Sequence, residues 1–163
     1  MERLFLDART PRNWLDRPVP RDLIRQVYET ACLGPTSMNS TPARFVFVET
    51  SEAKERLKDA LSPGNVEKAM SAPVIALIGG DRDFVDVLPR LWPRDVSALF
   101  AEKPGLREET ARRNATLQGA YLMLAARAFG LDCGPMSGFN AARVDEMFFA
   151  GTAIRTEFIC CLG

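Results

Sequence analysis

GPTSMNSTPARFVFV, residues 34 to 48, takes the chain from the end of a helix through a polar loop into a strand. The Gly-Pro pair that opens it ends the preceding helix, because proline cannot continue a helix and glycine suits its C-terminal end. The run RFVFVE, residues 44–49, is almost entirely apolar and predicts a buried strand. Between them lie the short hydrogen-bonding side chains of Thr36, Ser37, Asn39, Ser40 and Thr41. An ordinary connecting loop has this composition, and it also suits a polar ligand.

Helical and extended patterns alternate on both sides of this stretch. The run 44–49 is apolar on both faces, which predicts a central strand. Residues 81–103 contain Pro89 and Pro93, are followed by Pro104, and predict an irregular excursion or lid. No G-x-G-x-x-G motif follows a strand, so a Rossmann domain has little support. Periodicity and capping residues predict helices over 21–33, 51–61, 104–129 and 141–149, strands over 74–78 (closed by two glycines) and 157–162, and a short strand or turn over 131–139.

The composition is that of a globular chain without strongly charged partners. Of its 163 residues, 47% are apolar and 26% are charged, with 21 basic and 21 acidic side chains that cancel. A formal net charge of zero argues against nucleic acid or anionic membranes as partners. The most apolar internal run, residues 72–80, is too short to span a bilayer, and MERLFLDART at the N-terminus has no apolar run long enough for a signal peptide. We therefore expect a cytoplasmic protein.

The cysteine and histidine content excludes several kinds of catalytic site. The chain has no histidine, which removes Ser-His and Cys-His catalysis and most zinc sites. Its cysteines, Cys32, Cys133, Cys160 and Cys161, lack metal-type spacing. Cys160 and Cys161 are neighbours on a predicted strand, so their side chains should point to opposite faces. We expect a reduced, metal-free protein whose chemistry, if it is an enzyme, does not come from a side-chain triad.

The N-terminal segment ARTPRNW carries polar side chains that suit an anionic ligand. Arg9, Thr10 and Arg12 provide two guanidinium groups and a hydroxyl, which hold phosphate well through charge-assisted hydrogen bonds. A solvated N-terminal arm is the simpler alternative for these residues taken alone.

Two later segments could also either bind a ligand or have only a structural role. Asn65 and Lys68 share one face if their segment is helical, and together they offer an amide and an ammonium to the edge of a heterocycle. The alternative is a capping asparagine and a surface lysine. In CGPMSGF, residues 133–139, two glycines allow backbone N–H groups to approach a planar ligand closely, or they form an ordinary turn.

Five pieces of the sequence carry a resemblance: DARTPRNW, GPTSMNSTPAR, LSPGNVEKAMSAPV, RNATLQGAYLMLAARAFGLDCGPMSGF and FICCLG. Together they resemble the FMN-dependent oxidoreductases of the nitroreductase fold, over about residues 6–163. RNATLQGAY and GLDCGPMSGF resemble the branch that includes malonic semialdehyde reductase (3-hydroxypropionate dehydrogenase), whereas the other pieces are common to the wider family. The polar loop around residues 36–41 is then expected to be half of a flavin site that two subunits share.

The resemblance implies that four segments of the chain bind FMN. The implied residues are Arg9, Thr10 and Arg12 on the phosphate, ribityl and pyrimidine side; Pro35, Thr36, Ser37 and Asn39 in a loop that reaches FMN across a dimer interface; Asn65 and Lys68 at the pyrimidine edge; and Pro135, Met136, Ser137 and Gly138 along the isoalloxazine ring.

The resemblance also implies fold, assembly and activity. We expect one α+β domain over residues 1–163, with a mainly antiparallel sheet flanked by helices, in an intertwined homodimer. The flavin carries the chemistry, so no catalytic side chain is expected, and NADH or NADPH reduces it in a ping-pong cycle. Malonic semialdehyde, reduced to 3-hydroxypropionate, is the implied small-molecule substrate. Two alternatives stay open: a general nitroaromatic or quinone reductase, and a flavin-binding module without turnover. The C-terminal extension of the family is not seen after Gly163.

Overall fold

The fold is built on one four-stranded antiparallel sheet. The computed structural model describes residues 1–163. The strands are β1 (Ala43–Val48), β2 (Val74–Asp81), β3 (Cys133–Met136) and β4 (Ile154–Leu162), in the spatial order β1-β2-β4-β3. Each neighbouring pair of strands is antiparallel. The predicted α+β class with a mainly antiparallel sheet is confirmed.

Helices cover both faces of this sheet. Asn140 caps the last of them as predicted, because its Oδ1 accepts the N–H of Arg143 at 3.1 Å. No helix combines the length and the hydropathy that crossing a bilayer requires. The helices are α1 (Arg21–Ala31), α2 (Ser51–Lys58), α3 (Pro63–Ser71), α4 (Leu88–Leu91), α5 (Ser97–Glu102), α6 (Pro104–Ala128) and α7 (Ala141–Phe148), with shorter turns at Glu2–Leu6, Ser37–Asn39 and Arg82–Asp86.

The sheet separates two hydrophobic cores. On one face α1 and α6 pack against alternate residues of β2, including Ala76 and Ile78. On the other face α2, α3 and α7 pack against Ile75 and Leu77. The adjacent cysteines of β4 divide in the same way: Cys160 belongs to the first core and Cys161 to the second. Their predicted opposite orientation is confirmed.

The prediction that residues 44–49 form a central strand is wrong, because β1 lies at an edge of the sheet. Its faces are nevertheless covered. Phe45 packs edge-on against Tyr28 of α1, with ring centroids 6.0 Å apart, and Val46 packs against the opposite core. Apolar residues on both faces of a strand indicate that both faces are covered. They do not indicate whether the strand lies at the centre or at the edge of the sheet.

The two glycines predicted to close the second strand lie inside it, since β2 continues to Asp81. Gly79 has no room for a side chain: a Cβ there would lie 2.4 Å from Ile154 Cγ2. The register with β4 also shifts between Ile78 and Gly79. These glycines therefore mark a bulge and a close approach within the strand.

Residues 81–103, predicted to be irregular, form a short 3₁₀ turn and two short helices around a small core of their own. Phe84 and Phe100 meet edge-to-face at 5.2 Å in this core, which we call the excursion core. Leu88 and Ala111 complete it, and Met38 from the 34–42 loop packs against it. The excursion is thus packed directly against the polar loop.

The close approach of α6 to the sheet gives a test of this packing. Gly119 lies where a Cβ would be 2.5 Å from the ring of Phe158 and 3.3 Å from Ile78. We expect Gly119→Ala to lower the free energy of unfolding by about 1–2 kcal/mol, since overpacking outweighs the helix preference of alanine. Gly105→Ala on the same helix is the control, because nothing lies within 4 Å of its Cβ position. Urea unfolding measures both, and equal stabilities would contradict the packing.

Candidate functional site

The N-terminal arm, α3 and β3 meet at one point on the surface. Trp14 donates its indole N–H to the backbone carbonyl of Lys68 at 3.0 Å. The Lys68 side chain crosses Gly134 so closely that a Cβ there would lie 2.9 Å from its Nζ and 3.0 Å from Trp14 Cζ2. The absence of a side chain at position 134 permits this approach. We call these residues, with Asn65 and Gly138, the Lys68 locus.

Asn65 is oriented by the second glycine of the locus. Its Nδ2 donates to the carbonyl of Gly138 at 2.9 Å, and the N–H of Ser62 donates to the same carbonyl at 2.9 Å. A Cβ at position 138 would lie 2.5 Å from Nδ2. Because α3 is helical here, Asn65 and Lys68 share a face as predicted. The Oδ1 of Asn65 accepts no hydrogen bond within the chain, so it is free to accept one from a ligand.

The ammonium of Lys68 has no acidic partner. The chain contains seven ion pairs, and Lys68 takes part in none of them. Burial raises the pKa of the nearby Cys161 thiol to about 12, although the charges of Lys68 and Lys54 oppose that shift. The thiol therefore stays neutral near pH 7 and leaves the ammonium uncompensated. A half-buried cation without a carboxylate suits an anionic or carbonyl-bearing ligand.

In the segment 135–138, the backbone is better placed than the side chains to contact a ligand. Pro135 and Ser137 are exposed, whereas the Met136 side chain is only 8% exposed and belongs to a core. The strand β3 pairs only with β4, so its outer edge carries unpaired backbone groups. Any contact of Met136 with a ligand then comes from its main chain.

The predicted phosphate residues lie on an exposed arm. Arg9 donates through Nη1 to the carbonyls of Leu6 and Ala8, both at 2.8 Å, and so folds back on its own segment. Thr10 and Arg12 are exposed. Since Arg12 precedes Trp14 by two residues, its Cα lies within about 7 Å of that anchored residue. The arm thus brings Arg12 near the Lys68 locus, while the guanidinium of Arg9 is held by the arm itself.

The 34–42 loop presents polar side chains outward on a constrained backbone. Ser37 and Asn39 are exposed and Thr36 is half-buried. Three residues that are not glycine have positive φ: Met38 at 53°, Asn39 at 51° and Thr41 at 38°. This left-handed backbone conformation costs free energy for residues other than glycine, and it persists where neighbouring groups hold it.

Three polar side chains of α6 contact the backbone of this loop region. The Oδ1 of Asn114 accepts the N–H of Ser37 at 2.8 Å, and the Oε1 of Gln118 accepts the N–H of Ala43 at 2.9 Å. The hydroxyl of Tyr121 donates to the carbonyl of residue 35 at 2.9 Å. Sequence reasoning assigned no role to these side chains or to Trp14. The available signal was two amides at i and i+4 on a helix whose buried face is mostly apolar.

Within one chain the loop and the Lys68 locus lie apart. The loop leads into β1 and the locus adjoins β3, and these strands form opposite edges of the sheet. Three interstrand spacings, about 14 Å, separate those edges. No hydrogen bond joins the loop to the locus. The structure therefore brings together the segments around residues 14, 65–68 and 134–138, and leaves the loop elsewhere.

Arg44, at the start of β1, is paired within the chain. Its Nη2 donates to Asp81 Oδ2 at 2.7 Å, and its Nη1 donates to the carbonyls of Thr41 and Ala43, both at 3.0 Å. These bonds fix the start of β1 to the end of β2.

Comparison with known families matches residues 6–163 to the Nitroreductase family. A relative from Ralstonia pickettii, HadB, is provisionally named an NADH dehydrogenase/NAD(P)H nitroreductase; it is 56% identical over 98% of this chain and 84% of its own length. The chain belongs to the Nitroreductase family.

Solved structures share the fold at lower identity. The Bacillus subtilis protein ydfN, provisionally described as a nitroreductase, is 23% identical with a TM-score of 0.88, over 98% of this chain and 86% of its own. A similar protein from Exiguobacterium sibiricum, solved in complex with FMN, is 22% identical with a TM-score of 0.82, over 98% of this chain and 85% of its own. The nitroreductase-like fold is thus confirmed.

Proposed function

We propose that this chain is an FMN-dependent oxidoreductase that takes electrons from NADH or NADPH and binds FMN at the Lys68 locus. Membership of the Nitroreductase family, with NAD(P)H in the names of relatives such as HadB, makes it an NAD(P)H-dependent enzyme. The likeness to an FMN complex supports the cofactor. The observation that carries the proposal is the uncompensated ammonium of Lys68, which lies against Gly134 close to Trp14.

The residues present fit a flavin mononucleotide. At Gly134 and Gly138 the space that a Cβ would fill is taken by the side chains of Lys68 and Asn65, next to an unpaired backbone edge that a planar ring can approach. The pyrimidine ring of a flavin carries carbonyl acceptors and one N–H donor. Lys68 supplies a donor with positive charge, and the free Oδ1 of Asn65 supplies an acceptor for that N–H. Arg12, which forms no ion pair, is a candidate for the phosphate, together with Thr10 and a reoriented Arg9.

FMN, when bound, would supply hydride transfer, which amino-acid side chains do not provide. The work of the chain's own residues is binding and electrostatics. Lys68 would hold the pyrimidine edge with a fixed positive charge, at little cost in reorganisation because its side chain already lies against Gly134. Pro135, Met136, Ser137 and Gly138 would contact the isoalloxazine ring through their backbone.

We also propose a homodimer in which Pro35, Thr36, Ser37 and Asn39 complete the site of the partner subunit. The separation of the loop from the Lys68 locus within one chain supports this arrangement, because a site that uses both needs a second copy. The exposure of Ser37 and Asn39 also leaves their side chains available to another chain. Light scattering tests the assembly, and a stable monomer with full FMN occupancy would rule it out.

For the electron acceptor we propose malonic semialdehyde, reduced to 3-hydroxypropionate. The motifs RNATLQGAY and GLDCGPMSGF support this branch. The names of relatives favour the second candidate, a general nitroaromatic or quinone reductase. Steady-state kcat/KM values for malonic semialdehyde against a panel of nitroaromatics and quinones decide between them.

The first experiment is anaerobic. The purified protein should show the absorbance bands of oxidised flavin, and NADPH or NADH should bleach them. Bound flavin that neither nucleotide bleaches would instead identify a binding module without turnover. A protein that binds no FMN would refute the cofactor proposal.

Gly134→Ala should weaken FMN binding with little loss of stability. The added Cβ would lie 2.8 Å from Lys68 Cε, so the flexible end of that side chain has to move away from the site. We expect the Kd for FMN to rise about tenfold, as for a displaced charge-assisted contact. Gly64→Ala in α3 is the control, because nothing lies within 4 Å of its Cβ position. Fluorescence titration measures both, and equal Kd values would place the ligand elsewhere.

A further inference from the structure

We propose that Asn114, Gln118 and Tyr121 of α6 are positioning residues that hold the 34–42 loop in its ligand-binding shape before any ligand arrives. The inference rests on the proposed FMN function. The three residues follow one another at i, i+4 and i+7, so they form one stripe along the helix. They contact the loop region at its beginning, near its middle and at its exit into β1.

The loop needs such support because its own backbone preferences oppose its shape. Met38, Asn39 and Thr41 all have positive φ, and of these three only asparagine adopts this region with any ease. Three hydrogen bonds lie inside the loop: the N–H of Thr41 donates to Oγ1 of Thr36 at 3.1 Å, and the N–H groups of Asn39 and Ser40 donate to the carbonyls of Thr36 and Ser37, both at 3.0 Å. All three lie within residues 36–41, so the constraint at the two ends of the loop comes from outside it.

The burial of the two amides points to a positioning role. Asn114 is 2% exposed and Gln118 is 4% exposed, at positions where an apolar side chain would normally pack. A second bond, from Nδ2 of Asn114 to the carbonyl of Thr110 at 2.8 Å, turns its Oδ1 toward Ser37. Removal of either amide oxygen leaves a loop N–H without its acceptor.

Tyr121 fixes the entrance to the loop by contact as well as by its hydroxyl. Its ring lies against Gly34, where a Cβ would be 2.1 Å from Cδ2. The loop therefore starts at a defined distance from α6 and is held again at residues 37 and 43. With its backbone held, the loop directs Ser37 and Asn39 outward, which is the presentation that a shared cofactor site requires.

The test uses Gln118→Met and Asn114→Leu, which keep the size of each side chain and remove the acceptor. Thr110→Val is the matched control, because it changes the same buried face of α6 and leaves the backbone carbonyl that Asn114 uses. Hydrogen exchange of the FMN-free protein, resolved by peptide, is measured together with the Kd for FMN. We expect exchange over residues 37–43 to accelerate about tenfold in the two amide variants, with sheet peptides unchanged, and the Kd to rise by a similar factor.

Exchange over 37–43 that equals that of Thr110→Val would overturn the positioning role. Faster loop exchange with an unchanged Kd would overturn its connection to the cofactor. Acceleration across all peptides would show a general loss of stability and would also refute the inference. If the unmodified protein binds no FMN, the proposed function fails, which the binding measurement on that protein alone establishes.

Discussion

Lys68→Met is expected to weaken FMN binding by about tenfold or more and to lower the midpoint potential of the bound flavin. The substitution keeps the length of the side chain and its packing on Gly134 and removes only the charge. A hydrogen bond to a charged group contributes about 1.5–3 kcal/mol, and no carboxylate in the chain offsets the charge of Lys68. A fixed cation also favours the reduced cofactor, which carries more negative charge.

Fluorescence titration gives the Kd of this variant, and spectroelectrochemistry gives its potential. Lys58→Met is the matched control: Lys58 is exposed on α2 and pairs with Glu55 at 3.1 Å. Stopped-flow mixing with NADPH should show slower flavin reduction for the Lys68 variant only. If Lys68→Met keeps the affinity, the potential and the reduction rate of the unmodified protein, the Lys68 locus is not the flavin site.

Mixing two variants that bind FMN weakly is expected to restore normal affinity at part of the sites. Ser37→Glu places bulk and negative charge on the exposed loop, and Lys68→Met removes the positive charge of the locus. In a mixed dimer with shared sites, one site carries both substitutions and the other carries neither. Random exchange makes about half of the dimers mixed, so about a quarter of all sites should bind FMN with normal affinity.

Subunit exchange under mild denaturant, followed by FMN titration, measures this recovery. Each variant taken separately through the same treatment is the control. A site built within one chain predicts no recovery, because every copy would still carry one of the two substitutions. The experiment therefore separates a shared site from a site contained in a single subunit.

Much of the fold follows from local patterns. The helices α1, α2, α6 and α7 and three of the strands lie where periodicity and capping predict them. The edge position of β1 was missed, because burial of both faces by helices produces the same apolar run as a central strand. The extension of β2 through its glycines was also missed, since Gly79 is required by a contact with Ile154, which is distant in sequence.

The candidate site also combines features that local sequence patterns predict with features that depend on distant contacts. The sequence correctly predicts that Asn65 and Lys68 share a face of a helix, because they are three residues apart in α3. It gives no distance between α3 and β3, so the passage of Lys68 over Gly134 is visible only in three dimensions. From the sequence alone, Asn114 and Gln118 could not be assigned a role, because their hydrogen-bond partners in the loop region are distant along the chain. Long-range partners are the information that a local pattern lacks.

The packing of Met38 against the excursion core has a consequence for how the protein responds to heat. That core has four buried residues, against 12 and 13 in the two cores beside the sheet. Small clusters open at lower free-energy cost than large ones, so residues 81–103 should melt locally while the sheet stays intact. Each such opening withdraws the support of Met38 and loosens the loop. Warming should then release flavin fluorescence several degrees before the far-UV circular dichroism changes, so that cofactor retention sets the upper working temperature. A rise in flavin fluorescence at the same temperature as the change in circular dichroism would show that the excursion and the sheet unfold as one unit.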